Sequence, residues 1–179
     1  MRKLTASDMA LKWVQPRARS PFFELRANDD ALATLSREKL FGTLATAQTA
    51  EKTWTFKRVG FLQTRVTVRS PGYDADLATF KPAWSYSGTL DIQGRPYAWK
   101  QLSFMGTKWG FVRPDGAPIV TFKHAGGLDT IFKLEADVEI SPGEVSINAD
   151  LPLLLTLGWY IMVMMADDTM AAAVVTTTI

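Results

Sequence analysis

Between Leu151 and Met165 the chain carries no charged residue. Asp150 can cap a helix there, and Pro152 suits its first turn. A helix that is apolar on every side has to be enclosed by other parts of the protein, because no face of it can be left to water. At about 1.5 Å per residue the run spans about 22 Å, short of the roughly 30 Å of bilayer hydrocarbon, and Asp167 and Asp168 close it. The expectation is a helix over about 151–166 that plugs a soluble core, with no transmembrane span. The tail from Thr169 to Ile179 then extends the helix or adds a final strand.

The preceding chain supplies the enclosure. Four segments can be laid over one another as β-hairpins: Phe22 to Glu38, Val66 to Pro82, Gly88 to Leu102 and Gly110 to His124. Each is an alternating strand, a turn rich in Asp, Gly, Asn or Pro, and a return strand. In three of them the return strand reads Leu32-Ala33-Thr34, Leu77-Ala78-Thr79 and Ile119-Val120-Thr121. Gly72, Gly94 and Gly116 suit turns that need positive φ, and Asn28, Asp29 and Asp115 tolerate the same geometry. Leu40 to Thr46, Thr53 to Phe61 and Phe132 to Ile140 add further strands, rich in β-branched or aromatic residues. In the last of these, Phe132, Leu134, Ala136, Val138 and Ile140 alternate with Lys133, Glu135, Asp137 and Glu139, one face for the core and one for water. The count is about a dozen strands, mostly β, and the shape that encloses a helix with them is a closed antiparallel barrel.

With 179 residues, 47% of them hydrophobic, the chain is the size of one domain with a sizeable core. Residues 22–179 are read as the barrel. Residues 1–21 hold Arg2, Lys3, Lys12, Arg17 and Arg19 without an unbroken apolar run, so they form a loose or weakly paired arm rather than a signal peptide. A formal charge of +2 is too balanced for a nucleic-acid footprint. The absence of cysteine removes disulfides, thiolate nucleophiles and one class of metal site, in keeping with a reducing cytosol.

In this train of hairpins, of the type Phe111-Val112-Arg113-Pro114-Asp115-Gly116-Ala117-Pro118-Ile119-Val120, followed by the apolar helix at Leu151 to Met165, the chain resembles the tubby C-terminal-like superfamily. That superfamily includes tubby domains, phospholipid scramblases, LURP-one-related proteins and small bacterial homologues. The resemblance runs from about Phe22 onward and lies in architecture more than in signature residues. It implies a twelve-stranded barrel threaded by the helix. It carries function over less well than fold, since tubby domains take phosphoinositide headgroups, scramblases are linked to calcium and membranes, and many small members have no known activity. The calcium-ligand run of the scramblases is missing here, because Asp167-Asp168 is followed by Thr169-Met170-Ala171, with too few oxygen ligands.

Little catalytic chemistry is on offer. His124 is the single histidine, so a multi-histidine metal site is excluded and any catalytic triad would depend on it alone. The pairs Asp29 with Asp30 and Asp74 with Asp76 sit where turns favour aspartate. Gly106-Thr107-Lys108 lacks the rest of a phosphate-binding loop. No cofactor is expected. Trp99, Phe104, Trp109 and Phe111, interleaved with Lys100 and Lys108, are read as barrel filling with lysines snorkelling outward, the alternative being a nucleic-acid or lipid interface. The functional lead is a set of cations at or just after strands: Lys57, Arg58, Lys81, Lys100, Lys108 and Lys123. Brought to one outer face they would take an anionic lipid headgroup at a membrane surface. The alternatives are a protein-interaction or structural barrel without a small ligand, and an enzyme with a pocket at His124.

Overall fold

Twelve short strands run antiparallel, each to the next, and the last pairs back to the first. They are β1 (Leu11–Val14), β2 (Phe22–Ala27), β3 (Asp30–Arg37), β4 (Leu44–Thr49), β5 (Thr53–Val59), β6 (Arg65–Arg69), β7 (Asp76–Pro82), β8 (Gly88–Ile92), β9 (Arg95–Gln101), β10 (Lys108–Val112), β11 (Pro118–His124) and β12 (Ala136–Ile140). A four-residue helix α1 (Glu144–Ile147) leads into the long helix α2 (Leu151–Thr176). The computed structural model describes residues 1–8, 10–40, 42–61, 63–124 and 134–176, with side chains at all of these except 84 and 173–176. The result is a closed barrel with no open sheet edge, threaded by α2.

The repeated triplet has a structural cause. In β2/β3, β6/β7 and β10/β11 the register shifts by one residue, and the residue skipped on the return strand is Leu32, Leu77 or Ile119, the first of each triplet. Such a bulge lets two consecutive residues lean toward one side and sharpens the local bend that closure needs. Leu32 with Ala33, and Ile119 with Val120, are accordingly both buried. The β8/β9 hairpin lacks the triplet and keeps an unbroken register. It turns on Gln93 (φ 51°) and Gly94 (φ 83°), a two-residue turn with both φ positive.

Inside the wall the aromatic residues stack onto the helix. Trp13 lies parallel to Trp159 with ring centroids 5.5 Å apart, Phe23 meets Trp159 edge-on, and Trp99 contacts Trp109, Phe111 and Phe122. The outer positions of the wall carry Lys12, Lys57, Asp91, Lys100 and Glu139. A lipid-facing wall would carry an apolar band there, so this wall is built to be wetted.

Three expectations change. The segment before Phe22 is not merely a weakly paired arm: β1 pairs with β12 on one side and β2 on the other, and so closes the barrel. Its Leu11 and Trp13 are buried. The strand expected at Leu40 to Thr46 begins instead at Leu44, and the one expected from Phe132 begins at Ala136, with Phe132 and Lys133 outside the described residues. Finally, α2 does not stop at Asp167 and Asp168 but runs on to Thr176, the helical one of the two expectations for the tail, and Arg37 and Arg58 pair with the two carboxylates. The helix is therefore long and apolar enough to cross a membrane by length and composition, yet 72% of its most apolar stretch is buried inside the protein.

Candidate functional site

Because the strands alternate in direction, every second connection falls at the same end of the barrel. One end is marked by the start of α2. There Asp150 offers its carbonyl to the Leu154 N–H, closing the first helical turn. Its carboxylate accepts from Arg95 Nε and Nη2 and from the Tyr97 hydroxyl, each at 2.8 Å, rather than from helix N–H groups as a capping side chain would. Burial pulls the Asp150 carboxyl up, but these hydrogen bonds outweigh it and hold the group below its usual value. This end is rich in acids: Asp8, Asp29, Asp30, Glu51, Asp74, Asp76, Asp91, Asp115 and Glu144 all lie in its turns or flanking strand ends. Several are paired locally, Asp8 and Asp30 with Arg2, Asp74 and Asp76 with Arg69, and Glu144 with Arg113.

The opposite end, where α2 leaves the barrel, is different. All six strand-end cations singled out in the sequence fall there: Lys57 and Arg58 near the end of β5, Lys81 on β7, Lys100 on β9, Lys108 at the start of β10 and Lys123 on β11. Arg17, Arg37, Lys39 and Arg65 lie at the same end. The acids there, among the described residues, are Glu38, Asp167, Asp168, and Glu135 with Asp137 at the start of β12. The barrel is thus polarised along its axis, although its net charge is small.

Within this arc the cations differ. Lys108 and Lys123 stand directly opposite each other on neighbouring strands, a like-charge arrangement that works against the sheet. Lys57, Lys81 and Lys100 point outward from alternate strands, so no two of them are cross-strand neighbours. None of these five lysines forms an ion pair among the described residues. Arg58 is turned inward instead: it continues the row of Trp54 and Phe56, and its Nη1 donates to both carboxylate oxygens of Asp168 at 3.0 and 2.8 Å. That hydrogen bond holds its guanidinium above the usual value. Arg37, not anticipated from sequence, likewise continues the inward row of Ala33 and Leu35 and pairs with Asp167. Burial pushes the Asp167 carboxyl up against the pull of Arg37. Tyr160, its phenol pushed up to about 12 by burial, donates to the Thr43 carbonyl and pins the helix to the β3–β4 connection.

The tips of the same end are apolar. Phe61 in the β5–β6 connection is 96% exposed, and in the β9–β10 connection Phe104 is 100% and Met105 80% exposed. Phe104 therefore departs from the barrel-filling expectation, which Trp99, Trp109 and Phe111 do satisfy. Tyr86, and Met170 on the emerging helix, are exposed as well. Between the β7–β8 connection and α2 lies a cleft of about 490 Å³. Its floor is Val66, Phe80, Ile161 and Met164, all buried. Ser85 (φ 58°) and Tyr86 (φ 64°), on its wall, are consecutive non-glycine residues in the left-handed region. Such geometry costs about 1–3 kcal/mol per residue and gathers at binding sites.

His124 ends β11, and its N–H donates to the Thr107 carbonyl. Residues 125–133, which follow it, lie outside the described residues. No group of three or more His, Cys, Asp or Glu residues placed to hold a metal occurs among the described residues.

Fold and rim together define a class: a closed twelve-stranded barrel threaded by a helix, with one cationic, apolar-tipped end. No protein-family model matches the chain, and neither a curated protein nor a solved structure matches it.

Proposed function

We propose that this chain is a tubby-like, non-enzymatic barrel that docks on the cytoplasmic face of membranes bearing anionic lipid, through the end at which α2 emerges. The observation that carries the reading is the coincidence at one end of the outward lysines with the bare rings of Phe61 and Phe104. Apolar side chains on loop tips gain by leaving water for the acyl boundary, about 1.5–3 kcal/mol for a large one fully buried. Each cation brought near an anionic surface adds about 1 kcal/mol. The lysines are spread over an arc from β5 to β11 rather than gathered round one point, which favours contact with several headgroups over a pocket for one. An acidic protein partner is the second reading, since the same exposed rings would serve it; a barrel without open edges can recruit it through the loop tips but not by strand addition.

Co-sedimentation with phosphatidylcholine vesicles, with and without phosphatidylserine, separates the two. Wild-type protein is expected to bind the anionic vesicles, and replacing Phe61 and Phe104 by Ser should cut binding at least tenfold. Equal or absent binding to both vesicles at low salt overturns the lipid reading.

A further inference from the structure

The cleft between the β7–β8 connection and α2 opens at the rim that the preceding proposal places against the bilayer, and it is built differently from a headgroup patch. Its floor is entirely apolar and buried, whereas its mouth carries one ion pair, Arg58 with Asp168. Both hydrogen bonds of that pair leave from Nη1 of Arg58, so Asp168 does not engage Nε or Nη2 of the guanidinium. A volume of about 490 Å³ lies within the range of small-molecule sites. A greasy floor with a single guanidinium at its entrance matches a molecule with one apolar chain and one anionic head.

We infer that this cleft binds a single-chain anionic amphiphile, the chain lying on Val66, Phe80, Ile161 and Met164 and the head accepting hydrogen bonds from Arg58. Asp168 shares the guanidinium and is a built-in competitor of the head. The inference depends on the membrane reading only for the source of the ligand, which a bilayer would supply as a fatty acid or a lysophospholipid. Carboxylate and phosphate heads have the same complementarity to Arg58, and the probes below tell them apart.

The test is calorimetric titration of the purified chain with decanoate, decyl phosphate and 1-decanol, each below the concentration at which it aggregates. Saturable binding of either anion, at least tenfold tighter than decanol, is expected, and the tighter of the two identifies the head. Arg58→Gln should bring the anion down to the affinity of decanol. Asp168→Asn should strengthen anion binding severalfold, since it removes the competitor. A purely structural ion pair would instead give weaker binding in both variants. Val66→Trp should abolish binding by filling the floor. If that variant does not fold, the opposite responses at Arg58 and Asp168, both about one-third exposed, still decide the matter. No saturable binding, equal affinity for decanol and the anions, or weaker binding by Asp168→Asn overturns the inference. These measurements use no vesicles, so binding of amphiphile without vesicle binding sinks only the membrane reading, and the reverse sinks only the cleft.

Discussion

Gly158 lies where the rings of Phe122 and Trp99 press against α2. A Cβ at that position would come within 2.5 Å of the Phe122 ring and 3.2 Å of Trp99. Gly158→Ala should therefore destabilise the protein by about 1–3 kcal/mol in urea unfolding through overpacking, against a gain of about 1 kcal/mol from helix propensity. A rise in the unfolding midpoint would show that the rings can give way. A glycine in the middle of an apolar run signals close approach, and to that extent this contact was legible. Phe104 was not, because its neighbours Trp99, Trp109 and Phe111 are all internal and composition does not say where a strand ends. Arg37 and Arg58 did leave a trace: each stands two residues beyond a buried apolar residue, Leu35 and Phe56, and so prolongs an inward row. What the sequence could not supply was their partners, Asp167 and Asp168, more than a hundred residues away.

At the scale of elements, the hairpins were readable because turn chemistry and alternation act over a few residues. The triplets marked the bulges for the same reason. Strand β1 escaped notice because a strand of four residues offers too little periodicity, and its worth appears only when β12 and β2 lie beside it. The length of α2 was left open for a complementary reason: two adjacent aspartates look like a stop until two arginines meet them, so helix and strand were equal expectations for the tail. The Arg37–Asp167 pair is nearly inaccessible on the arginine side. Arg37→Ala should leave a largely buried carboxylate unpaired and cost about 3–5 kcal/mol at neutral pH, while joining Arg37→Met to Asp167→Leu should recover most of that loss. The pH dependence has a definite sign. Burial already raises the Asp167 carboxyl above its unfolded value, so the stability tied to it is fully present below that unfolded value and is lost as pH rises through the raised one. Removing Arg37 takes away the charge that opposed the rise. The penalty of Arg37→Ala should therefore shrink as pH falls and Asp167 takes up a proton, which urea titrations across the acid range can measure. A penalty independent of pH would mean that lost packing, not charge, is responsible.

Over the whole molecule, acids crowd the end where α2 begins and unpaired lysines the end where it leaves, so the barrel carries an axial charge asymmetry that its net charge of +2 conceals. Sequence order could not reveal this, because both ends are assembled from turns spread along the entire chain; the antiparallel alternation of twelve strands sorts them. Such an asymmetry orients a protein before contact, within about a Debye length of an anionic surface, roughly 10 Å at 0.1 M salt. Orientation rather than net charge is then the quantity to test. Lys57→Ala with Lys81→Ala, and Lys3→Ala with Lys52→Ala, remove the same charge from opposite ends. In vesicle co-sedimentation the first pair should weaken binding to anionic vesicles by about tenfold or more, at roughly 1 kcal/mol per cation. It should also flatten the salt dependence. The second pair should leave both close to wild type, since those side chains face away from the surface. Lys57 and Lys81 are exposed and make no ion pair among the described residues, so the first pair should melt like wild type. Equal losses from the two pairs would mean that the bilayer responds to total charge and that no end of the barrel is its docking face.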